Sequence, residues 1–268
     1  MSPESLKIES ERDGTVEIVT LARPDSRNAL DVPLVEALSH YFRDLVDREE
    51  VRIVILRGEG KDYCAGLDLS QLGADDKRYS GASGGMRLQR LINSIYRHMH
   101  HAPQPVISLV QGAACGGGMS LALASDVRIA GPKARFNAAY IRIGYTGGDM
   151  GSTYFLPRLI GQSRAAEMVL TGNFLSAEEA VQAGLVSRIV ADEDLLSEGM
   201  KLADDMLRNS PFGLRLTKQS LRMNTDAPSL ESAMAMEDRQ QILMGQTSDQ
   251  KEGLKAFLEK RAPTYLDR

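Results

Sequence analysis

Apolar and polar residues alternate through residues 15–21, the period of a half-buried strand with one face in a core and one toward solvent. Arg23-Pro24-Asp25-Ser26-Arg27-Asn28 then reads as a turn, and the spacing that follows predicts a helix over 32–46. Residues 51–56, 106–110 and 127–130 are short apolar runs of the kind found in strands buried on both faces. Helical periodicity fits 86–99, the segment after Gly117, and 165–170, so strands and helices alternate through the first two thirds. That alternation predicts an α/β chain. Past about residue 195 the strand signals stop, and amphipathic stretches over 195–208, 211–223 and 229–244 predict helices, with a last one over 248–260 ending before Pro263. This tail is rich in Met and Leu. It cannot bury its apolar face alone and is expected to dock on the core or on another subunit. The expected organisation is therefore a core over 1–195 and a helical C-terminal region over 196–268. Residues 71–85, loaded with Gly, Ser, Asp and Lys, read as a mobile loop placed to act as a substrate lid.

Composition narrows the function classes. With 43% hydrophobic and 25% charged residues the chain is an ordinary globular protein, and its net charge of -4 gives no overall attraction to nucleic acid. An anionic ligand must be met by local lysines and arginines. The first thirteen residues are polar and acidic, and no window approaches the apolar length of a membrane span, so the cytoplasm is the expected compartment. Cys64 and Cys115 lie far apart, each beside a glycine turn, which fits small packing residues rather than a redox or metal pair. Of four histidines, three crowd at His98, His100 and His101, without zinc spacing, and read as a solvated helix end. No metal site is expected.

The chemistry concentrates at two glycine-rich turns, Tyr63-Cys64-Ala65-Gly66-Leu67-Asp68 and Gly112-Ala113-Ala114-Cys115-Gly116-Gly117-Gly118, each closing an apolar run. Such turns aim backbone N–H groups outward, and two facing each other can grip a carbonyl oxygen that becomes negative. The spacing does not match the dinucleotide fingerprint, and no Gly-Lys-Ser/Thr follows as a phosphate loop requires. Gly118-Met119-Ser120-Leu121-Ala122 is a near miss to the nucleophile elbow, but the last histidine, His101, precedes the serine. Ser120 reads as a small hydroxyl filling a helix start.

At these turns the sequence resembles the crotonase superfamily, the enoyl-CoA hydratase/isomerase family. The resemblance covers most of the chain and rests on Asn28-Ala29-Leu30 after the Arg23-Pro24 turn, Cys64-Ala65-Gly66-Leu67-Asp68-Leu69, Pro105-Val106-Ile107 leading to Gly116-Gly117-Gly118, and Ala124-Ser125-Asp126 before a strand. Leu156-Pro157-Arg158-Leu159-Ile160-Gly161, Ala183-Gly184-Leu185-Val186 and Ala256-Phe257-Leu258-Glu259-Lys260-Arg261 complete it in the same order. It implies a crotonase-like spiral of ββα units forming an acyl-CoA-binding core, and a helical region that assembles homotrimers or dimers of trimers. It also implies an acyl-CoA thioester substrate that carries its own CoA, with no further cofactor. By position, the oxyanion hole would be the N–H groups of Leu67 and Gly117. Arg27 and Ala29 would lie along the CoA nucleotide with Ala65 and Asp68 near its adenine. Phe257 and Lys260, from this or a neighbouring subunit, would meet its adenine and phosphate end.

The chain departs from the family at its acid/base positions. Hydratases of the family use two glutamates, where this sequence has Ser120 and Tyr140. A serine hydroxyl is too weak an acid, and tyrosine titrates near 10. The remaining candidate is Asp149 in Gly147-Gly148-Asp149-Met150-Gly151-Ser152, which looks like the aspartate segment of the family's dienoyl-CoA isomerases and equally suits a helix N-cap. One carboxylate is enough to move a double bond, so the expected activity is enoyl-CoA isomerisation with Asp149 as acid/base and Tyr140 lining the acyl pocket or orienting water. Alternatives are hydration by Asp149 with Tyr140 or water, C–C or thioester hydrolysis, and acyl-CoA binding without turnover. Met86, Leu88, Leu91 and Ile92 read as helix core before they read as an acyl pocket.

Overall fold

In the computed structural model, which describes residues 4–70 and 76–268, the chain divides into two compact units. One comprises the residues through Ala102 with Val106–Gly199; the other comprises Pro103–Pro105 with Met200–Arg268. In chain order, β1 (Leu6–Glu11), β2 (Val16–Leu21), α1 (Val32–Asp44) and β3 (Ile53–Gly58) open the first unit, followed by α2 (Gly81–His101), β4 (Val106–Val110) and β5 (Ala113–Cys115). Then come α3 (Gly117–Ala124), β6 (Val127–Ala130), β7 (Arg135–Asn137), α4 (Ser152–Ile160), α5 (Gln162–Thr171), β8 (Leu175–Ser176), α6 (Ala177–Gln182) and β9 (Arg188–Ile189). Four longer helices end the chain: α7 (Leu195–Leu207), α8 (Pro211–Asn224), α9 (Leu230–Gly245) and α10 (Ser248–Glu259).

The main sheet has the order β1-β2-β3-β4-β6-β9, parallel except for the β1/β2 hairpin. Val54 pairs with Val106 and Ile107 with Val127, so the apolar runs lie side by side in the centre of the sheet, where both faces are covered. A small sheet, β5-β7-β8, carries the second glycine turn at the end of β5. The Asp31 carboxylate caps α1 by accepting from the Leu34 N–H, and Leu34, Leu38 and Phe42 at helical spacing bury its inner face. Leu88, Ile92, Ile95, Tyr96 and Met99 do the same for α2, and the two helices pack together.

Four expectations are corrected. Of the strand expected over 15–21, residues 16–21 are buried on both faces rather than on one, and the charge this buries, Glu17, is matched. Glu17, 4% exposed, meets Arg48 Nη2 at 2.6 Å and the Tyr41 hydroxyl at 2.8 Å. The loop expected over 71–85 is not found over 77–79 and 81–85. Residues 71–75 lie outside the described residues, Lys77–Tyr79 form a 3-10 turn, and 81–85 are the first turns of α2. Gly84 is there for close packing, since a Cβ would sit 2.3 Å from the Tyr79 backbone. Asp149 is not the N-cap of α4; Gly151 is. The three histidines end α2 but are not simply solvated: His98 Nδ1 lies 3.1 Å from the Ser39 carbonyl and His100 meets Tyr154 and Phe155 edge to face. As read, both cysteines are inert: burial pushes the Cys64 thiol up to about 12, where it donates to the Asn28 carbonyl, and Cys115 to about 11.

Arg128 shows how much the core depends on charge placed against carbonyls. It is buried, which pulls its guanidinium down to about 10, and it donates to the carbonyls of Leu185, Ser125, Ala122 and Asp126 around the end of α3. Arg128→Leu strands those acceptors and is expected to cost about 3–5 kcal/mol, read as a large drop in the thermal midpoint.

In the second unit, Arg215 makes a two-pronged pair with Asp267, and buried Asp249 accepts from the Leu266 and Asp267 N–H groups, tying down the C-terminal tail. Leu230, Ile242, Leu254, Phe257 and Leu258 remain exposed. No described helix is long and apolar enough to cross a membrane.

Candidate active site

The first glycine turn is built by a short ladder. Leu30 N–H donates to the Gly66 carbonyl and Asp68 N–H to the Leu30 carbonyl, a parallel bridge that leaves the Leu67 N–H directed to the other side. Gly66 has φ +94°, and a Cβ there would lie 2.8 Å from the Cys115 carbonyl oxygen and 3.4 Å from the Gly117 nitrogen. Only glycine lets the two turns touch. At the second turn Gly116 takes φ 49° and ψ −116°, so that Gly117 opens α3 with its N–H free of any intrahelical partner. A Cβ on Gly118 would meet the Cys64 carbonyl at 2.1 Å, so this glycine seats α3 on the first turn. Among the described residues neither the Leu67 nor the Gly117 N–H has an acceptor.

Both turns open on a cavity of about 220 Å³ whose wall includes Leu67, Gly117, Tyr140 and Asp149, together with Gln89, Ile143, Tyr145 and Met150. Asp149 is the one carboxylate among its described lining residues. Its Oδ1 accepts from Gln89 Nε2 at 2.6 Å and from the Met150 N–H at 2.7 Å. Burial lifts its carboxyl above the usual range, and those two donors oppose the lift. The loop that carries it is strained: Met150, a buried non-glycine, has φ +49° and Gly151 follows at +79°. The Met150 sulfur and the Gly117 carbonyl both lie 3.1 Å from the buried Tyr96 hydroxyl, which donates to them. Tyr140, on the 3-10 turn Ala139–Ile143, presses its ring on Gly116, and its hydroxyl is 3.4 Å from the Asp149 carbonyl. Burial raises this phenol, against the neighbouring Ser152 and Ser120 hydroxyls. Ser120 is fully buried.

The four residues named for CoA in the first unit share one ladder. Ala65 N–H donates to the Arg27 carbonyl, and Arg23 donates to the Ala29 carbonyl and pairs with Asp68 at 3.1 Å. Asp68 is thus engaged by Ser70 and Arg23, which hold its carboxyl below the usual range. The Arg27 guanidinium is 71% exposed, 3.9 Å from Asp62. Phe257 and Lys260 belong to the second unit, Phe257 80% exposed on α10 and Lys260 at its C-cap with φ +56°. Leu88 and Ile92 are core, Met86 is exposed, and none of the stripe lines the cavity.

Gln89, Tyr96 and Met150 went unnoticed in the sequence. A signal existed for the first two: they stand seven residues apart, two turns of one helix, on the apolar face of α2 where a polar side chain needs a partner.

The sequence matches the enoyl-CoA hydratase/isomerase family over residues 11–268. A Mycobacterium tuberculosis protein named a probable enoyl-CoA hydratase is 39% identical over 256 residues, 93% of this chain and 88% of that one. The 1,2-epoxyphenylacetyl-CoA isomerase of Escherichia coli is 34% identical over 247 residues, 92% of this chain and 93% of its own. Among solved structures, enoyl-CoA hydratase from Bacillus anthracis superposes with a TM-score of 0.91 at 32% identity, covering 98% of this chain and 100% of that one.

Proposed function

The chain belongs to the enoyl-CoA hydratase/isomerase family and has the crotonase fold, and from that premise we propose that it moves the double bond of an enoyl-CoA, with Asp149 as the single acid/base. The observation that carries the reading is the 220 Å³ cavity whose wall holds both Leu67 and Gly117, with their unpaired backbone N–H groups, and a single described carboxylate. The thioester oxygen accepts from the Leu67 and Gly117 N–H groups. Asp149 takes a proton from one carbon, and the electron pair moves onto that oxygen as an enolate. The enolate then recovers the proton at the other carbon, so nothing is gained or lost. Donors aimed at the oxygen that becomes charged favour the enolate over the substrate. Moving one proton needs one base, whereas adding water needs a base and an acid together. Tyr140, with its phenol raised by burial, is poorly suited to be the second group and lines the acyl pocket instead.

Hydration is the second reading. It is favoured by the Tyr140 hydroxyl beside Asp149 and by the names of relatives such as the short-chain-enoyl-CoA hydratase of Clostridium acetobutylicum. Arg27, Ala29, Ala65 and Asp68 are proposed to flank CoA, and Phe257 and Lys260, of this or a neighbouring subunit, are proposed to meet the adenine and phosphate end of a bound CoA. The exposed apolar side chains of α9 and α10 support assembly as a homotrimer or dimer of trimers. No cofactor beyond the CoA of the substrate enters this scheme.

The test is incubation in D₂O with paired 2-enoyl- and 3-enoyl-CoA substrates of several chain lengths. Double-bond migration with no added oxygen is expected, with little deuterium taken up in a single turnover because the proton returns from Asp149; gain of a water mass moves hydration first, and release of free CoA thiol points to hydrolysis. Because the base works deprotonated and its proton affinity is raised, the rate should fall with falling pH through a value above the ordinary aspartate figure of about 3.9.

A further inference from the structure

The carboxylate in the cavity is held by one oxygen. Gln89 Nε2 and the Met150 N–H both donate to Oδ1, at 2.6 and 2.7 Å, while among the described residues Oδ2 has no protein donor. Gln89 reaches Asp149 from 60 residues away, on the face of α2 that also carries Tyr96. Tyr96 in turn donates to the carbonyl of Gly117 and to the sulfur of Met150. One helix face therefore touches the oxyanion turn and both residues of the strained loop that presents the carboxylate. A carboxylate free to rotate about χ2 offers either oxygen to a substrate; one with two donors at Oδ1 offers only the other.

We propose that Gln89 is a positioning residue that, with the Met150 N–H, immobilises Oδ1 of Asp149, so that Oδ2 alone carries the proton between the two substrate carbons. The proposal rests on the reading of Asp149 as the acid/base. In the step, the C–H bond breaks as the Oδ2–H bond forms, the electron pair passes to the thioester oxygen, and the same proton returns to the second carbon. The donor is an amide, and its neutrality matters. A lysine or arginine at this distance would make the carboxylate a much weaker base, whereas an amide orients it without adding charge. The ionisable groups facing Asp149 are the phenols of Tyr140 beside the loop, Tyr96 on α2 and Tyr145 on the cavity wall, and no described cation lines the cavity.

The experiment compares Gln89→Leu, Gln89→Glu and Asp149→Asn with the unaltered protein, following turnover of enoyl-CoA across pH. Gln89→Leu is expected to lower kcat by about ten- to a hundredfold and to move the acid limb of the kcat profile up by about one pH unit, because a donor to the charged form is gone. Gln89→Glu keeps the shape, which guards against a folding failure, and should move the limb further, since two adjacent carboxylates resist ionising together. The Kd for acyl-CoA should stay near that of the unaltered protein. A limb that stays in place in both Gln89 variants while Asp149→Asn is inactive overturns the role of Gln89 alone. Full turnover by Asp149→Asn overturns the reading on which it rests.

Discussion

Asp149→Asn is expected to bind acyl-CoA as the unaltered protein does and to lose about a thousandfold in kcat, the middle of the range for a single general acid/base. The geometry makes this a sharp comparison. An asparagine oxygen can still accept from Gln89 Nε2 and the Met150 N–H, so the loop keeps its tethers and only the proton carrier is removed. Stability should not fall. Burial raises the Asp149 carboxyl, so the folded chain holds that proton more tightly than the unfolded one, and the ionised group works against folding as pH rises through the raised value. Asparagine removes that opposition. The thermal midpoint at neutral pH is therefore expected to hold or rise, the sign expected where an active site is kept at some cost to the fold. Turnover near that of the unaltered protein would take Asp149 out of the mechanism.

Gly66→Ala should cost about a hundredfold or more in kcat, comparable to losing one oxyanion donor. The added methyl would sit 2.8 Å from the Cys115 carbonyl, at a φ of +94° that only glycine takes freely, so the first turn must move away from the second and carry the Leu67 N–H with it. The control is Gly14→Ala. Gly14 has a nearly equal φ of +88° and open space around it, between the strands of the β1/β2 hairpin. It should pay the backbone strain, about 1 kcal/mol, and keep its turnover. Equal loss of activity in both variants would mean that strain in general, rather than the aim of the Leu67 N–H, is being measured. Activities and thermal midpoints of the two proteins, measured side by side, separate these outcomes.

Much of the architecture could be read locally. The strands at 106–110 and 127–130 match β4 and β6, because a strand buried on both faces writes itself as an unbroken apolar run. The glycine turns were legible because chain reversal at positive φ selects glycine whatever surrounds it. Helices α7, α8 and α10 followed from apolar spacing, and α9 forms where a helix was expected although none of its residues is buried. Misreadings fell where a distant residue changes what a position costs. Glu17 looked solvent-facing until Arg48, 31 residues on, neutralised it in the core. Gly84 looked like part of a loose loop until the Tyr79 backbone was found against it. Asp149 suited a helix cap as well as an acid/base, but two residues at positive φ, Met150 and Gly151, turn the chain between it and α4 and leave its side chain to Gln89.

Local periodicity and glycine placement were therefore enough to read the α/β class and the two turns, since burial pattern and backbone dihedrals are properties of neighbouring residues, while the family came from the resemblance of the motifs at those turns. The environment of the carboxylate was not available at that level. Its proton affinity and orientation come from burial and from donors 1 and 60 residues away, and a pairing of that range exists only once the chain has folded.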